Sequence, residues 1–125
     1  MQTPIKIKSI KNVTKKLISS KVTYDDGIVA ICGLDKNGSE ILRIEFDNAI
    51  YVRVTDESVR LKFFQDSGVT ELDTIMIIEE SDVFKWLRDE ELHIRDLSQA
   101  KHFIISAGEE IVDIVSFSAP KITEF

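Results

Sequence analysis

The stretch His102–Ile122, HFIISAGEEIVDIVSFSAPKI, contains two apolar runs separated by a short polar turn. This pattern predicts an antiparallel hairpin with its turn at Gly108–Glu109, so that His102 faces Val115 across the two strands. One face of the hairpin is apolar and is predicted to pack in the core. Its residues are Phe103, Ile105, Val112 and Ile114.

The second face of this hairpin is mixed, because His102 and Asp113 lie on it at diagonal positions among apolar residues. A catalytic site would need a third partner, and the sequence does not indicate one. We therefore interpret the two side chains as polar residues where the sheet meets a loop or another protein. A functional site at His102 and Asp113 is the alternative.

The segment 21–47 has the pattern of three antiparallel strands. The runs KVTY, IVAICGL and ILRIEF are separated by the turns DDG and DKNG, whose residues tolerate hairpin conformations. Leu42, Ile44 and Phe46 alternate with polar residues, as in a half-buried strand. A further extended piece at 50–54 follows this meander.

Two helices are predicted between the meander and the hairpin. The clearer one follows the strand Thr74–Glu80, where Ser81 is a good N-cap and SDVFKWLRDEEL presents a broad apolar side. The other begins at Thr55 or Asp56 and ends by Gly68, although alternation within it also permits a strand. The assignment of residues 9–19 stays open between helix and strand.

The 125 residues predict one domain, residues 1–125, large enough for a core of its own. We expect an α+β fold in which one curved, mainly antiparallel sheet of five to six strands packs with one or two helices. A basic N-terminal segment, 1–20, precedes an acidic body, 21–125. The chain shows neither a secretory signal nor an apolar run of the roughly 18 residues that cross a membrane, so a cytoplasmic location is expected.

Charge is distributed unevenly along the chain. Residues 1–21 hold six lysines and no acid, whereas residues 22–125 carry 10 bases against 22 acids, a net charge of −12. An acidic body repels nucleic acid and speeds the encounter with a basic protein. The simpler interpretation is that the acidic residues only keep the protein soluble.

The sequence does not predict a metal, cofactor or nucleotide site. His93 and His102 are separated by a predicted loop and lie far in sequence from Cys32, which is expected to be a buried structural thiol. The isolated glycines match no phosphate-binding motif. The basic and aromatic run RLKFF, 60–64, is interpreted as a helix with Arg60 directed outward rather than as a nucleic-acid contact.

The densest acidic region is 79–96, where seven acids and three bases give a net charge of −4. On a helix and the loop after it, these acids would face a cationic partner. The alternative is that these acids only face solvent. The exposure of Trp86 distinguishes the two interpretations, because an exposed tryptophan beside charges is typical of an interface. The predicted contact residues are Trp86, Asp89, Glu90, Glu91 and Asp96.

The order of these features resembles that of small bacterial immunity proteins of polymorphic toxin and contact-dependent growth-inhibition systems. The segments that carry the resemblance are IEF, YVRVTDESVRLKFF, SDVFKWL, HFII and VDIVSFSAPKI, within residues 22–125. The resemblance implies a non-enzymatic protein that binds and occludes a cognate toxin domain, often a basic nuclease. It implies no particular binding residues, and the lysine-rich N-terminal segment departs from it.

Two other classes of function are compatible with the sequence, and a third, weaker alternative is nucleic-acid binding through the N-terminal lysines. One is a small intracellular enzyme or ligand-binding domain with a site near His102 and Asp113. The other is a structural module that forms homo-oligomers through the final hairpin. The sequence itself leaves the oligomeric state and the identity of the toxin open.

Overall fold

The described residues form two antiparallel sheets and one α-helix. A computed structural model of the chain describes residues 6–11, 13, 17–60, 74–79, 81–91 and 96–125. The strands are β1 (Lys6–Lys11), β2 (Ser19–Asp25), β3 (Ile28–Leu34), β4 (Glu40–Phe46), β5 (Ala49–Asp56), β6 (Ile75–Glu79), β7 (Lys101–Ala107), β8 (Glu110–Ser116) and β9 (Lys121–Glu124). A 3-10 helix spans Glu57–Val59, and the α-helix, α1, spans Asp82–Glu90.

The α+β class is confirmed, but the prediction of one sheet with five to six strands is wrong. Five strands form one sheet in the order β1-β6-β7-β8-β5, and four form another in the order β2-β3-β4-β9. The predicted meander is confirmed as β2–β4, and it gains a fourth strand because β4 pairs with the C-terminal strand β9. At the corner after β4 the chain crosses to the other sheet, where β5 pairs with β8.

The predicted hairpin register is confirmed. His102 faces Val115, and Ile104 faces Asp113. The turn contains Gly108 with a φ of 69°, a conformation that glycine adopts without steric cost.

The hydrophobic core lies between the two sheets. The apolar face predicted for the hairpin packs there, against alternate residues of β3 and β4. The rings of Phe46 and Phe103 join the two layers with their centroids 5.0 Å apart. The principal core side chains are Val29, Ile31, Leu42, Ile44, Phe46, Ile75, Phe103, Ile105, Val112 and Ile114.

The mixed face of the hairpin is also buried, within this single chain. Asp113 is fully buried and His102 is 2% exposed. The ring of Trp86 on α1 contacts the ring of Tyr51, which pairs with Val115 and shares its face of the sheet. The chain itself thus covers this part of the face, and β7 and β8 are buried on both sides. Apolar residues buried on the outer face are Met76, Ile78, Ile104, Ile111 and Val115.

The predicted helices have different outcomes. The helix after Ser81 is confirmed as α1, and the preceding strand as β6. At the second predicted helix, β5 continues to Asp56, which caps the 3-10 helix by accepting a hydrogen bond from the Ser58 N–H at 2.8 Å. Residues 61–68 of that prediction lie outside the described residues. Within the described part of the chain, no helix is long and apolar enough to cross a membrane.

A Gly108→Ala substitution should lower the free energy of unfolding by about 2 kcal/mol or more, because left-handed backbone and a steric clash combine. A Cβ atom at Gly108 would lie 2.6 Å from the Ile18 carbonyl oxygen. Gly38, with a φ of 77° and no atom within 4 Å of such a Cβ, is the matched control. Gly38→Ala should cost only about 1 kcal/mol. Equal losses in urea denaturation would contradict the close packing of the turn on Ile18.

Candidate functional site

Helix α1 carries the central residues of the predicted partner-binding surface. Ser81 caps it by accepting a hydrogen bond from the Phe84 N–H at 3.2 Å, and Asp82 suits the positive end of the helix dipole. Val83, Phe84 and Leu87 are half-buried, which leaves the opposite side of the helix in solvent. The local sequence therefore fixes which side chains α1 presents.

Trp86 lies on the exposed side of α1, with 52% of its surface accessible. Its ring meets the ring of Tyr51 edge to face, with centroids 5.9 Å apart and planes at 66°. Such contacts favour one orientation of the two rings. The Trp86 side chain is therefore accessible to a partner, and its contact with the Tyr51 ring favours one orientation.

Acidic side chains lie beside Trp86 in chain order. Asp89 and Glu90 are exposed in the last turn of α1, and Glu91 is half-buried at its C-cap. Asp96 is exposed in the turn before β7, where it accepts a hydrogen bond from the Ser98 N–H at 2.9 Å. This hydrogen bond lowers the pKa of Asp96. The region thus presents exposed carboxylates close in sequence to an exposed aromatic ring.

A second cluster lies on the buried outer face of the five-stranded sheet. The Asp113 cluster comprises Arg53, Arg60, His102 and Asp113. His102 Nε2 lies 2.8 Å from Asp113 Oδ1, and Arg60 Nη1 donates to Asp113 Oδ2 at 2.7 Å. Arg53 donates to the same oxygen through Nη2 at 3.1 Å and Nε at 3.2 Å. One carboxylate therefore joins β5, β7, β8 and the segment after the 3-10 helix.

Asp113 is ionised in this setting. Burial alone would raise the pKa of Asp113, but the hydrogen bond from His102, the attraction of its ring and the attraction of Arg60 together lower it to about 2. An ionised carboxylate only accepts hydrogen bonds, so Nε2 of His102 carries the proton that it donates. Nδ1 of His102 is buried and has no hydrogen-bond partner among the described residues.

Sequence reasoning found only half of the Asp113 cluster. It placed His102 and Asp113 within reach of each other, but interpreted them as polar residues at the margin of the sheet. The outward orientation predicted for Arg60 is wrong, because its side chain is 12% exposed and forms an ion pair with Asp113. Arg53 was missed because the pairing of β5 with β8 spans 60 positions.

The other residues considered for chemistry are not brought together. His93 lies outside the described residues. Cys32 is half-buried and faces Arg43 across the four-stranded sheet, so the predicted full burial of its thiol is wrong. Among the described residues, no group of three or more histidine, cysteine, aspartate or glutamate side chains is arranged to hold a metal ion.

Comparisons of the chain with protein-family models, with curated proteins and with solved structures found no match. His102 and Asp113 are buried, whereas Trp86, Asp89, Glu90 and Asp96 are exposed.

Acidification should remove the stabilisation that ionised Asp113 provides. Its pKa falls from 3.8 to about 2 on folding, so the stabilisation is complete above pH 4 and is lost as the pH falls through 2. The shift corresponds to roughly 2 kcal/mol of unfolding free energy. Urea denaturation across this pH range would measure it, and an NMR titration of the carboxyl carbon would assign it. A carboxyl group that titrates near 4 would contradict the cluster.

Asp113→Asn should lower the free energy of unfolding by about 3–5 kcal/mol, because it removes the charge that compensates two guanidinium groups. Asp25→Asn, at an exposed position on β2, is the matched control and should change stability by no more than about 0.5 kcal/mol. If both variants unfold at the same urea concentration, the cluster does not stabilise the fold.

Proposed function

We propose that this chain is a non-enzymatic binding protein that neutralises a cognate bacterial toxin domain by direct binding and occlusion. The observation that carries the proposal is the exposure of Trp86 on α1, held against Tyr51 and flanked by carboxylates. A large exposed aromatic side chain in a charged setting is the usual anchor of a protein interface. The resemblance to immunity proteins supports the same function.

The chemistry of this surface favours a basic partner. The net charge of residues 22–125 is −12, and the exposed acids at 89, 90 and 96 lie near Trp86 in sequence. Opposite charges accelerate encounter, while burial of the aromatic ring slows dissociation. A toxin that handles nucleic acid through a basic groove has the matching surface. Trp86, Asp89, Glu90, Glu91 and Asp96 are the proposed contact residues, and the cytoplasm is the proposed place of action.

The first experiment asks whether a neighbouring gene encodes a secreted protein with a C-terminal toxin domain, and pairs the chain with that domain. The wild-type chain should copurify with that domain and protect cells that express it. A chain that does neither would overturn the proposal, because occlusion requires a complex.

Substitutions on α1 test the proposed surface. Trp86→Ala should raise the dissociation constant by about 30-fold or more, the effect of removing a hot-spot side chain. Tyr24→Ala is the matched control, since Tyr24 is a 55% exposed aromatic residue on β2 of the other sheet. Glu90→Lys should weaken binding and flatten its dependence on salt, whereas Asp25→Lys should do so much less. Equal effects of the α1 variants and their controls, measured by calorimetry across a salt series, would remove α1 from the interface.

One observation favours a second candidate, a ligand-binding or catalytic site at His102 and Asp113. The buried Nδ1 of His102 has no partner in the described part of the chain, and Asp113 orients the ring as in carboxylate–histidine pairs that act as bases. His102→Gln tests it, because the amide keeps a donor for Asp113 and removes the basic nitrogen. Full protection of cells by this variant supports occlusion. Loss of protection with retained fold and toxin binding would favour chemistry at His102.

A further inference from the structure

A groove lies where the two sheets approach each other at their edges. Its volume is about 350 Å³, and it is lined by the start of β2, the end of β5 and the turn between β7 and β8. Ile18 and Val54 form its apolar part and are 44% and 43% exposed. Asp56, Glu109 and Glu110 form its acidic part, and none of the described residues that line it is basic. We call this surface the β5 edge groove.

The acidic part of the β5 edge groove carries uncompensated charge. Asp56 and Glu110 face each other directly across β5 and β8, and like charges in this arrangement destabilise a strand pair. Hydrogen bonds from Ser58 lower the pKa of Asp56, which keeps it ionised. Glu109 lies next to this pair in the turn. A cation placed among the three carboxylates would relieve their repulsion.

The main chain of β5 also has a free side. In the described part of the chain, β5 pairs with β8 and has no second neighbour. The Glu57 N–H donates to the Glu109 carbonyl at 2.9 Å, directly across the pair. Because such bonds alternate along an antiparallel pair, Val52, Val54 and Asp56 direct their N–H and C=O groups away from β8. These groups form an open edge beside the groove.

The groove is held in shape by close packing at its base. Gly108 approaches Ile18 so closely that a Cβ atom would meet the Ile18 carbonyl carbon at 2.9 Å. The turn between β7 and β8 and the start of β2 are therefore fixed against each other. Binding to a surface that is already formed costs less ordering entropy.

We infer that the β5 edge groove binds an extended basic segment of a partner protein, which adds a strand to β5. In that arrangement an apolar side chain of the segment packs between Ile18 and Val54. A lysine or arginine two positions along the same face enters the acidic part of the groove. This surface is distinct from the exposed side of α1, and the inference does not require the partner to be a toxin.

The test uses a capped peptide, TVTKTKT, whose valine and lysines share one face when it is extended. It should shift the amide resonances of β5 and of the turn at 108–110 in a saturable way. A TVTETET peptide is the charge control and should not bind. No saturable shift at millimolar peptide, or equal binding of the two peptides, would overturn the inference.

Two N-methylated forms of TVTKTKT test strand addition on the wild-type protein. In one form the odd-numbered residues carry the N-methyl groups, and in the other the even-numbered residues carry them. Only one set directs its N–H groups toward β5, so one form should bind and the other should not. Equal behaviour of the two forms would contradict strand addition.

Val54→Pro removes a free N–H from the edge without removing a bond to β8, and Val54→Thr keeps that N–H. The proline variant should bind the peptide about tenfold more weakly than the threonine variant, the loss expected for one hydrogen bond. Equal affinities would contradict the inference. If the proline variant does not fold, the methylated peptides still test strand addition.

The Trp86→Ala variant tests whether this surface is independent of the one in the proposed function. Unchanged peptide binding by Trp86→Ala would show that the two surfaces are separate.

Discussion

The ionised carboxylate of Asp113 lies at the centre of a sheet face from which water is excluded. A buried charge is costly unless it is paired and hydrogen-bonded, and Asp113 is compensated by His102 at 2.8 Å, Arg60 at 2.7 Å and Arg53 at 3.1 Å. These donors come from β7, from the segment after the 3-10 helix and from β5. A slip of one residue in β8 would move Asp113 into the apolar core and leave the donors behind. The cluster therefore fixes the register of the central strands as well as stabilising them.

This arrangement determines which surfaces remain for a partner. The inner face of the five-stranded sheet packs against the other sheet, and its outer face holds the Asp113 cluster among buried apolar residues. Among the described residues, the accessible surfaces include α1, the strand edges and the outer face of the four-stranded sheet. On α1, Tyr51 supports Trp86 from the same strand that supplies Arg53. The strand β5 thus links the buried cluster with the accessible tryptophan.

Local patterns predicted the local elements well. The hairpin register, the meander and the Ser81 cap of α1 are specified by residues close together in sequence, through turn chemistry and periodicity. The division into two sheets was not predictable in this way, because it depends on β9 joining β4 rather than on any pattern within either strand.

The same distinction between local patterns and long-range strand pairing applies to the candidate sites. Arg53 and Arg60 are ordinary surface residues by composition, and only the pairing of β5 with β8 brings Arg53 opposite Asp113. His102 and Asp113 were found together because both lie in one hairpin. The residues nominated on α1 follow from local charge and helical spacing. The structure places Trp86 in solvent, but the identity of its partner depends on a second molecule.

Hydrogen–deuterium exchange of the chain, alone and with a candidate toxin domain encoded by a neighbouring gene, tests the central proposal most directly. Occlusion through α1 predicts slowed exchange of the α1 amides and of the turn at 96–98 in the complex, with exchange in β2–β4 unchanged. Slowed exchange confined to β2–β4, or no complex at all, would contradict it.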